Sequence, residues 1–183
     1  MRFRYTKTVF LGGFMSVACG HAYEAAYTPT PRGQVLVRQL PPATVLVTRV
    51  EAPYFAHANQ LFRRLFAYIQ RHGIAMTVPV EARMNPAEMW FYVSQADIGK
   101  CVTNDALVQV VSVPQRHVVA LGARGGYTAA NFAETAQALQ AWLAAHPAYR
   151  TNGAPYGVYW HGPFRLWFLK HYEVHIPIEA PGP

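Results

Sequence analysis

The chain has 183 residues, of which 52% are hydrophobic and 14% aromatic, and its formal net charge is +7 at pH 7. This apolar content suffices for one well-packed core of ordinary domain size and leaves little room for two. The basic residues form no run or helix stripe in the body of the chain. A nucleic-acid partner therefore has no support in the composition.

The first 22 residues have the layout of a secretory signal peptide. Basic residues come first, an apolar run ends near Cys19, and small residues follow. The run is too short for a comfortable membrane span. We therefore expect a periplasmic or secreted protein that is cleaved after Ala22. A lipid anchor at Cys19 is the alternative, although Ser16 stands where a larger aliphatic residue is usual.

Cleavage would change both the charge and the cysteine count of the chain. It would remove three of the 16 basic residues and none of the nine acidic ones, lowering the net charge from +7 to +4. Cys101 would be the only thiol left, which excludes an intrachain disulfide. No spacing ties Cys101 to a histidine, so we interpret it as a packed or loop residue.

Residues 23–33 are interrupted by proline and glycine and are interpreted as a tether before a folded domain at 34–183. Within that domain the sequence repeats itself. The segment that starts at Pro41 aligns with the one that starts at Pro114, an offset of 73 residues, and helix-like segments follow both at nearly the same offset. Each half is therefore predicted to contain a strand, a helix and two strands.

Two amphipathic helices are predicted. Residues 54–72 carry a single apolar stripe with helical spacing, and Gly73 follows as a stop signal. The stripe consists of Ala58, Leu61, Phe62, Leu65, Phe66 and Ile69. The second helix is predicted at about 131–146, with Asn131 as its N-cap and Pro147 as its terminator.

Alternating apolar residues predict the strands that these helices cover. The predicted strands are 34–50 with a break at the Pro41-Pro42 pair, 74–84, 89–94, 107–113, 117–123, 156–160 and 172–178. The order predicts an α+β domain of duplicated βαββ halves, forming a pseudo-two-fold, barrel-like sheet with two covering helices. The seam between the halves is a common place for a small-molecule site.

Residues 62–80, FRRLFAYIQRHGIAMTVPV, join the end of the first helix to a strand that contains a proline. This stretch resembles the signature of the SOUL, or heme-binding-protein, family, in which a similar helix leads into a strand of the form IAMTxPV. Pro79 matches the family's Thr-x-Pro-Val pattern. A residue without a backbone donor suggests an edge or bulged position in the strand.

A second stretch, residues 159–178, resembles the family's closing segment. Pro163, Glu173 and Val174 match it, whereas residues 170–172 are Lys-His-Tyr where the family commonly has Arg-Arg-Asn. The resemblance runs in order through nearly all of the predicted domain. It implies the fold that the family shares with gyrase-inhibitor-like effector-binding domains of bacteria.

The resemblance implies a heme or porphyrin ligand, held between the first helix and the loop before the last strand. The implied contact residues are Phe62, Arg63, Leu65, Phe66, Phe164, Trp167 and Phe168. A tetrapyrrole is a flat apolar disc with two propionates, so Arg63 or Arg64 would pair with a propionate. Alternatively, Phe62, Leu65 and Phe66 are only the inner stripe of the helix and the arginines lie on a solvated face.

Iron coordination would need a histidine or methionine at this slot. The candidate axial ligands are His57, His72, His161 and His171. A surface or capping role is the commoner explanation for each of them, and Met76 is interpreted as core. The family does not need a fixed axial histidine, so a metal requirement stays open.

No catalytic motif occurs in the chain, and we expect a binding protein, not an enzyme. Strand alternation places Glu173 on one face with His171 and His175. This row could be structural or could act as an acid/base cluster. In effector-binding relatives a buried carboxylate receives cationic ligands, and Glu173 is the candidate here. The alternatives to a tetrapyrrole are therefore another apolar or cationic small molecule, or a tetrapyrrole-modifying activity.

Overall fold

A computed structural model describes residues 23–101, 105–162, 166 and 169–180. The expected signal peptide lies outside the described residues, as do Phe164, Trp167 and Phe168. The elements in chain order are β1 (Glu24–Ala25), β2 (Val35–Leu40), β3 (Ala43–Val50), α1 (Tyr54–His72), β4 (Thr77–Val78), β5 (Val80–Met84), β6 (Ala87–Tyr92), a 3₁₀ helix (Gln95–Lys100), β7 (Gln109–Val113), β8 (Arg116–Arg124), α2 (Ala129–Ala144), β9 (Tyr156–Tyr159) and β10 (His171–Ile178).

The main sheet has eight antiparallel strands in the order β2-β8-β10-β9-β5-β6-β3-β7. The approximate two-fold passes between β9 and β5 and relates β8-α2-β9-β10 to β3-α1-β5-β6. The predicted pair of βαββ halves is confirmed. The halves also exchange strands, because β2 leads into β3 but pairs with β8, and β7 leads into β8 but pairs with β3.

Both helices lie on one face of this sheet, which we call the helix face; the opposite one is the far face. The stripe of α1 packs against β3, β5 and β6, and Leu61 and Leu65 are fully buried. Gly73 ends α1 in the left-handed conformation that glycine adopts without steric cost. Within the described residues, none of the helices is long and apolar enough to cross a membrane.

The second helix begins earlier than predicted. Its N-cap is Thr128, whose side-chain oxygen accepts the backbone N–H of Asn131, so the assignment of Asn131 as N-cap is wrong. The Asn131 side chain instead donates to the Gly126 carbonyl at 2.8 Å. Thr128 and Asn131 are both good capping residues, and the sequence does not distinguish which one starts the helix.

Residues 23–33, the N-terminal segment, are packed against the domain, in contrast to the predicted tether. Strand β1 pairs in parallel with β4, and Thr30 is fully buried. The Thr30 N–H donates to Glu173 Oε1 at 2.9 Å. A backbone that pairs and is buried in this way belongs to the fold. Proline and glycine interrupt its hydrophobic period, but extended segments need no such period to pack.

Pro79 lies between β4 and β5 and follows a cis peptide bond. Strand β4 pairs with β1 in a separate two-stranded sheet, whereas β5 lies at the centre of the main sheet. The residue without a backbone donor therefore stands at the junction of the two sheets, outside both ladders.

Candidate functional site

An apolar cavity of about 370 Å³ opens beside α1, at the seam of the two halves on the helix face. We call it the α1 cavity. Its size lies in the usual range of small-molecule sites. Aromatic side chains make up much of its wall: Tyr54, Phe55, Phe62, Phe66, Tyr127 and Tyr159.

Two pairs of stacked rings border this cavity. The ring centroids of Phe62 and Phe66 are 5.6 Å apart at an interplanar angle of 15°, and those of Tyr127 and Tyr159 are 4.3 Å apart at 23°. Phe66 is 37% exposed, so part of its ring remains accessible. Flat aromatic surfaces that remain accessible favour a flat apolar ligand.

A single Lys or Arg side chain is present among the described residues that line the α1 cavity. Lys170 supplies it, and its Nζ lies 5.0 Å from the centroid of the Tyr127 ring. The Tyr127 hydroxyl accepts the His161 N–H at 2.9 Å and donates to the His171 carbonyl at 3.0 Å. Tyr127 thus fixes both chain segments that border the cavity near Lys170.

His161 lines the cavity and is the only predicted axial ligand that does so in the described part of the chain. Its Nδ1 accepts the backbone N–H of His171 at 3.0 Å. The neutral ring therefore carries its proton on Nε2. Coordination of iron through Nε2 would require this proton to move to Nδ1 and would break that hydrogen bond.

The other candidate ligands lie elsewhere. His57 contacts the side chain of Gln60, and His72 packs on Tyr68 with ring centroids 4.5 Å apart. His171 lies on the far face with Glu173, as strand alternation predicted. Burial lowers the pKa of His171.

The predicted contact residues on α1 divide into two groups. Phe62 and Phe66 line the cavity, whereas Leu65 is fully buried in the core beneath α1. Arg63 and Arg64 are not among the residues that line it. Arg64 Nη1 donates to the Arg49 carbonyl at 3.2 Å. Among the described lining residues the cation is Lys170, which was noted from the sequence only as a departure from the family pattern.

A buried charge network lies on the far face, and its centre, Glu81, was not among the residues predicted from the sequence. This fully buried carboxylate accepts two hydrogen bonds from Arg116, at 2.8 and 3.1 Å, and one from the Tyr92 hydroxyl. Burial is the largest influence on the Glu81 pKa and raises it, but Arg116, Arg83 and Tyr92 together hold the pKa below its ordinary value. A glutamate inside an apolar strand was the available signal.

Glu173, the predicted partner of a charged ligand, is the second buried carboxylate of this face. Its oxygens accept the N–H of Thr30 and the Nε1–H of Trp160, the latter at 2.6 Å, and lie 2.7 Å from His175 Nε2. Burial raises the Glu173 pKa, but the hydrogen bonds from His175 and Thr30 outweigh it, so the pKa lies below its ordinary value. Three protein donors thus hold the carboxylate, and Arg38 Nη1 lies 3.9 Å from Oε2.

The N-terminal segment covers this network. The ring of Tyr27 makes edge contacts with Tyr92 and Trp160, and its hydroxyl is buried without a hydrogen-bond partner in the described structure. Burial raises the pKa of Tyr27 well above its ordinary value. Among the described residues, no group of His, Cys, Asp or Glu is arranged to hold a metal ion.

Several solved structures share the fold. The C-terminal domain of EcmrR superposes with a TM-score of 0.62 at 16% identity over 80% of this chain and 97% of that domain. This chain aligns with only 57% of the longer EcmrR chain, which was solved in a complex with DNA. A hydrolase from Listeria innocua superposes with a TM-score of 0.54 at 12% identity, over 82% of this chain and 94% of the hydrolase. SAV2435, solved with bound tetraphenylphosphonium, superposes with a TM-score of 0.50 at 12% identity, over 80% of this chain and 94% of SAV2435.

No curated protein matches the sequence significantly. The family model of the SOUL heme-binding protein matches residues 22–177, which is most of the chain and includes both halves and the N-terminal segment. The resemblance in the helix-to-strand signature is therefore confirmed. This chain belongs to the SOUL heme-binding protein family.

Proposed function

We propose that the protein is exported and binds heme or another tetrapyrrole reversibly, without catalysis, in the α1 cavity. The observation that carries the proposal is an aromatic cavity at the two-fold seam with Lys170 as a cation beside it. The family's description as heme-binding supports the same ligand class. The export part of the proposal rests on the layout of residues 1–22 alone.

The residues of the cavity fit the chemistry of a tetrapyrrole. The ring pairs Phe62–Phe66 and Tyr127–Tyr159 offer flat apolar surface to a flat apolar disc. Lys170 can form a charge-assisted hydrogen bond with a propionate. Bound heme would supply iron with open coordination positions, but the hydrogen bond that His161 accepts holds its proton on Nε2. Metal-free protoporphyrin IX is therefore expected to bind about as well as hemin.

The test is a titration of residues 23–183 with hemin and with protoporphyrin IX, followed by the Soret band and by tryptophan quenching. The proposal expects saturable one-to-one binding of both. The variant Phe66→Glu places a charge in the cavity wall and should abolish binding. Gln70→Glu adds the same charge at an exposed position on the same helix, outside the cavity lining, and should bind normally.

Three other results of this titration would contradict the proposal. No saturable binding of either ligand removes the proposed function. An equal loss of binding in Phe66→Glu and Gln70→Glu would mean that the added negative charge, and not its position in the cavity wall, weakens binding. A loss of the Soret band that continues after binding is complete indicates turnover, in favour of a tetrapyrrole-modifying enzyme.

A second candidate function is binding of an apolar cation on the far face, with Glu173 as counter-charge. The observation in its favour is a fully buried carboxylate beside the aromatic rings of Tyr27 and Trp160; SAV2435, of similar fold, was solved with tetraphenylphosphonium. Such a ligand would have to compete with the three donors that now hydrogen-bond to Glu173. Saturable binding of tetraphenylphosphonium that is lost in Glu173→Gln and kept in Phe66→Glu would favour this candidate.

A further inference from the structure

Tyr23 borders the α1 cavity, and the residues that follow it are held by backbone pairing. It is one of the lining residues, with 55% of its surface exposed. The next two residues form β1, in which Glu24 pairs with Thr77 and Ala25 with Val78. The Ala26 N–H also donates to the Val78 carbonyl at 2.7 Å. The start of the N-terminal segment is therefore held against the strand that forms one side of the cavity.

The topology brings Tyr23 to the same end of the cavity as Lys170. Strands β5 and β9 are antiparallel, and Val80 at the start of β5 is opposite Tyr159 at the end of β9. The residues just before β5, which pair with β1, thus emerge where His161 follows β9. The Trp160 N–H donates to the His171 carbonyl, so Lys170, just before β10, lies at this end too.

The expected cleavage site lies directly before Tyr23. Gly20 and Ala22 are the small residues that a signal peptidase requires at the third and first positions before the cut. Hydrolysis of the Ala22–Tyr23 bond consumes one water, leaves a carboxylate on Ala22, and leaves an amine on Tyr23. Such an α-amino group has a pKa of about 8 and is mostly protonated at neutral pH.

We propose that removal of the signal peptide completes the ligand site, because the new α-ammonium group of Tyr23 joins Lys170 as a second cation for the carboxylates of the tetrapyrrole. The inference rests on the proposed function and on the proposed export. A tetrapyrrole of the heme type has two propionates, and the uncleaved chain has only an uncharged peptide nitrogen at this position. Full affinity for a dicarboxylate ligand is thus a property of the processed chain.

The first part of the test is the mass of the protein after export from a bacterial host that expresses residues 1–183. The proposal expects the mass of residues 23–183. A chain cut at any other position overturns it, because the amine would then lie away from the cavity.

The second part compares the processed chain with the same chain acetylated at Tyr23 and with a chain extended before Tyr23 by Gly-Ser-Gly. Protoporphyrin IX affinity should fall about two- to five-fold in both modified forms, the size expected for a partly exposed ion pair. The difference between free and acetylated chains should disappear as the pH rises above about 8, where the amine loses its charge. The dimethyl ester of protoporphyrin IX, which lacks carboxylates, should bind all three forms equally.

These arms separate the inference from the function on which it rests. If protoporphyrin IX binds no form of the chain, the proposed function fails. If it binds all forms equally, the tetrapyrrole site stands and the role of the α-amino group is wrong. If the dimethyl ester loses affinity as much as the diacid does, the modification acts through the structure of the N-terminal segment, which also overturns the inference.

Discussion

Lys170 is the residue at which ligand charge should be recognised. It borders the α1 cavity, whereas Arg64, on the neighbouring helix, does not line it. We expect Lys170→Glu to lower protoporphyrin IX affinity by about ten-fold or more, because a cation is replaced by a charge that repels propionates. Its affinity for the dimethyl ester should change little. The same change at Arg64 is the control, and a larger effect there would contradict this assignment of the cation.

Glu81 is the residue on which the far face depends most. Its carboxylate is fully buried between Arg116 and Tyr92, so Glu81→Gln would leave the Arg116 guanidinium largely buried without its counter-charge. We expect the free energy of unfolding in urea to fall by about 3 to 5 kcal/mol. Glu51→Gln, which breaks an exposed ion pair with Arg49, should have little effect. Similar losses of unfolding free energy in Glu81→Gln and Glu51→Gln would show that burial of the ion pair does not determine how much its removal destabilises the fold.

At the scale of elements, the N-terminal segment should be sensitive to Gly122. A Cβ at this position would lie 2.5 Å from the Thr30 carbonyl oxygen and closer still to that of Pro31. Gly122→Ala should therefore displace the segment, cost about 1 to 3 kcal/mol of stability and speed proteolysis within residues 23–33. Gly99→Ala, where no atom lies within 4 Å, is the control. An undisturbed segment in Gly122→Ala would mean that its close packing is unimportant.

The sequence predicts those elements whose signal is local. The apolar stripe of α1 defines 54–72 because periodicity and the stop at Gly73 are both present in one window. The far-face network has no such signal, since Glu81 and Arg116 are 35 residues apart and meet only through the strand order. Arg63 or Arg64 was predicted to pair with a propionate, whereas among the described residues it is Lys170 that lines the cavity.

At the scale of the whole molecule, the repeat in the sequence predicts two halves but not how they join. The offset that aligns Pro41 with Pro114 cannot reveal that β2 and β7 are exchanged between halves, because both arrangements have the same sequence. The exchange makes each half incomplete alone. The pairing of β5 with β9 joins the halves in one continuous sheet and places both buried carboxylates next to Val158, which pairs with Glu81 on one side and Glu173 on the other.

The stability of the whole domain should therefore depend on acid pH. Glu81 and Glu173 both have pKa values below the ordinary 4.5 of glutamate in the folded state. Their contribution to stability is present above that ordinary value and is lost as the pH falls through the lower folded-state values. Because burial also lowers the pKa of His171, the free energy of unfolding in urea should decline modestly below about pH 6.5 and fall steeply below about pH 5. The steep part should be smaller in Glu173→Gln. A rise in stability on acidification would be inconsistent with these two carboxylates being ionised in the fold.

Binding of the tetrapyrrole in the α1 cavity can be tested by NMR of the protein with protoporphyrin IX. A porphyrin ring current shifts the signals of nearby protons strongly, so the bound ligand reports its own position. We expect saturable shifts concentrated at Phe62, Phe66 and Tyr127, with the signals of Tyr27 and His175 on the far face unchanged. Shifts centred on the far face, or none that saturate, would contradict it.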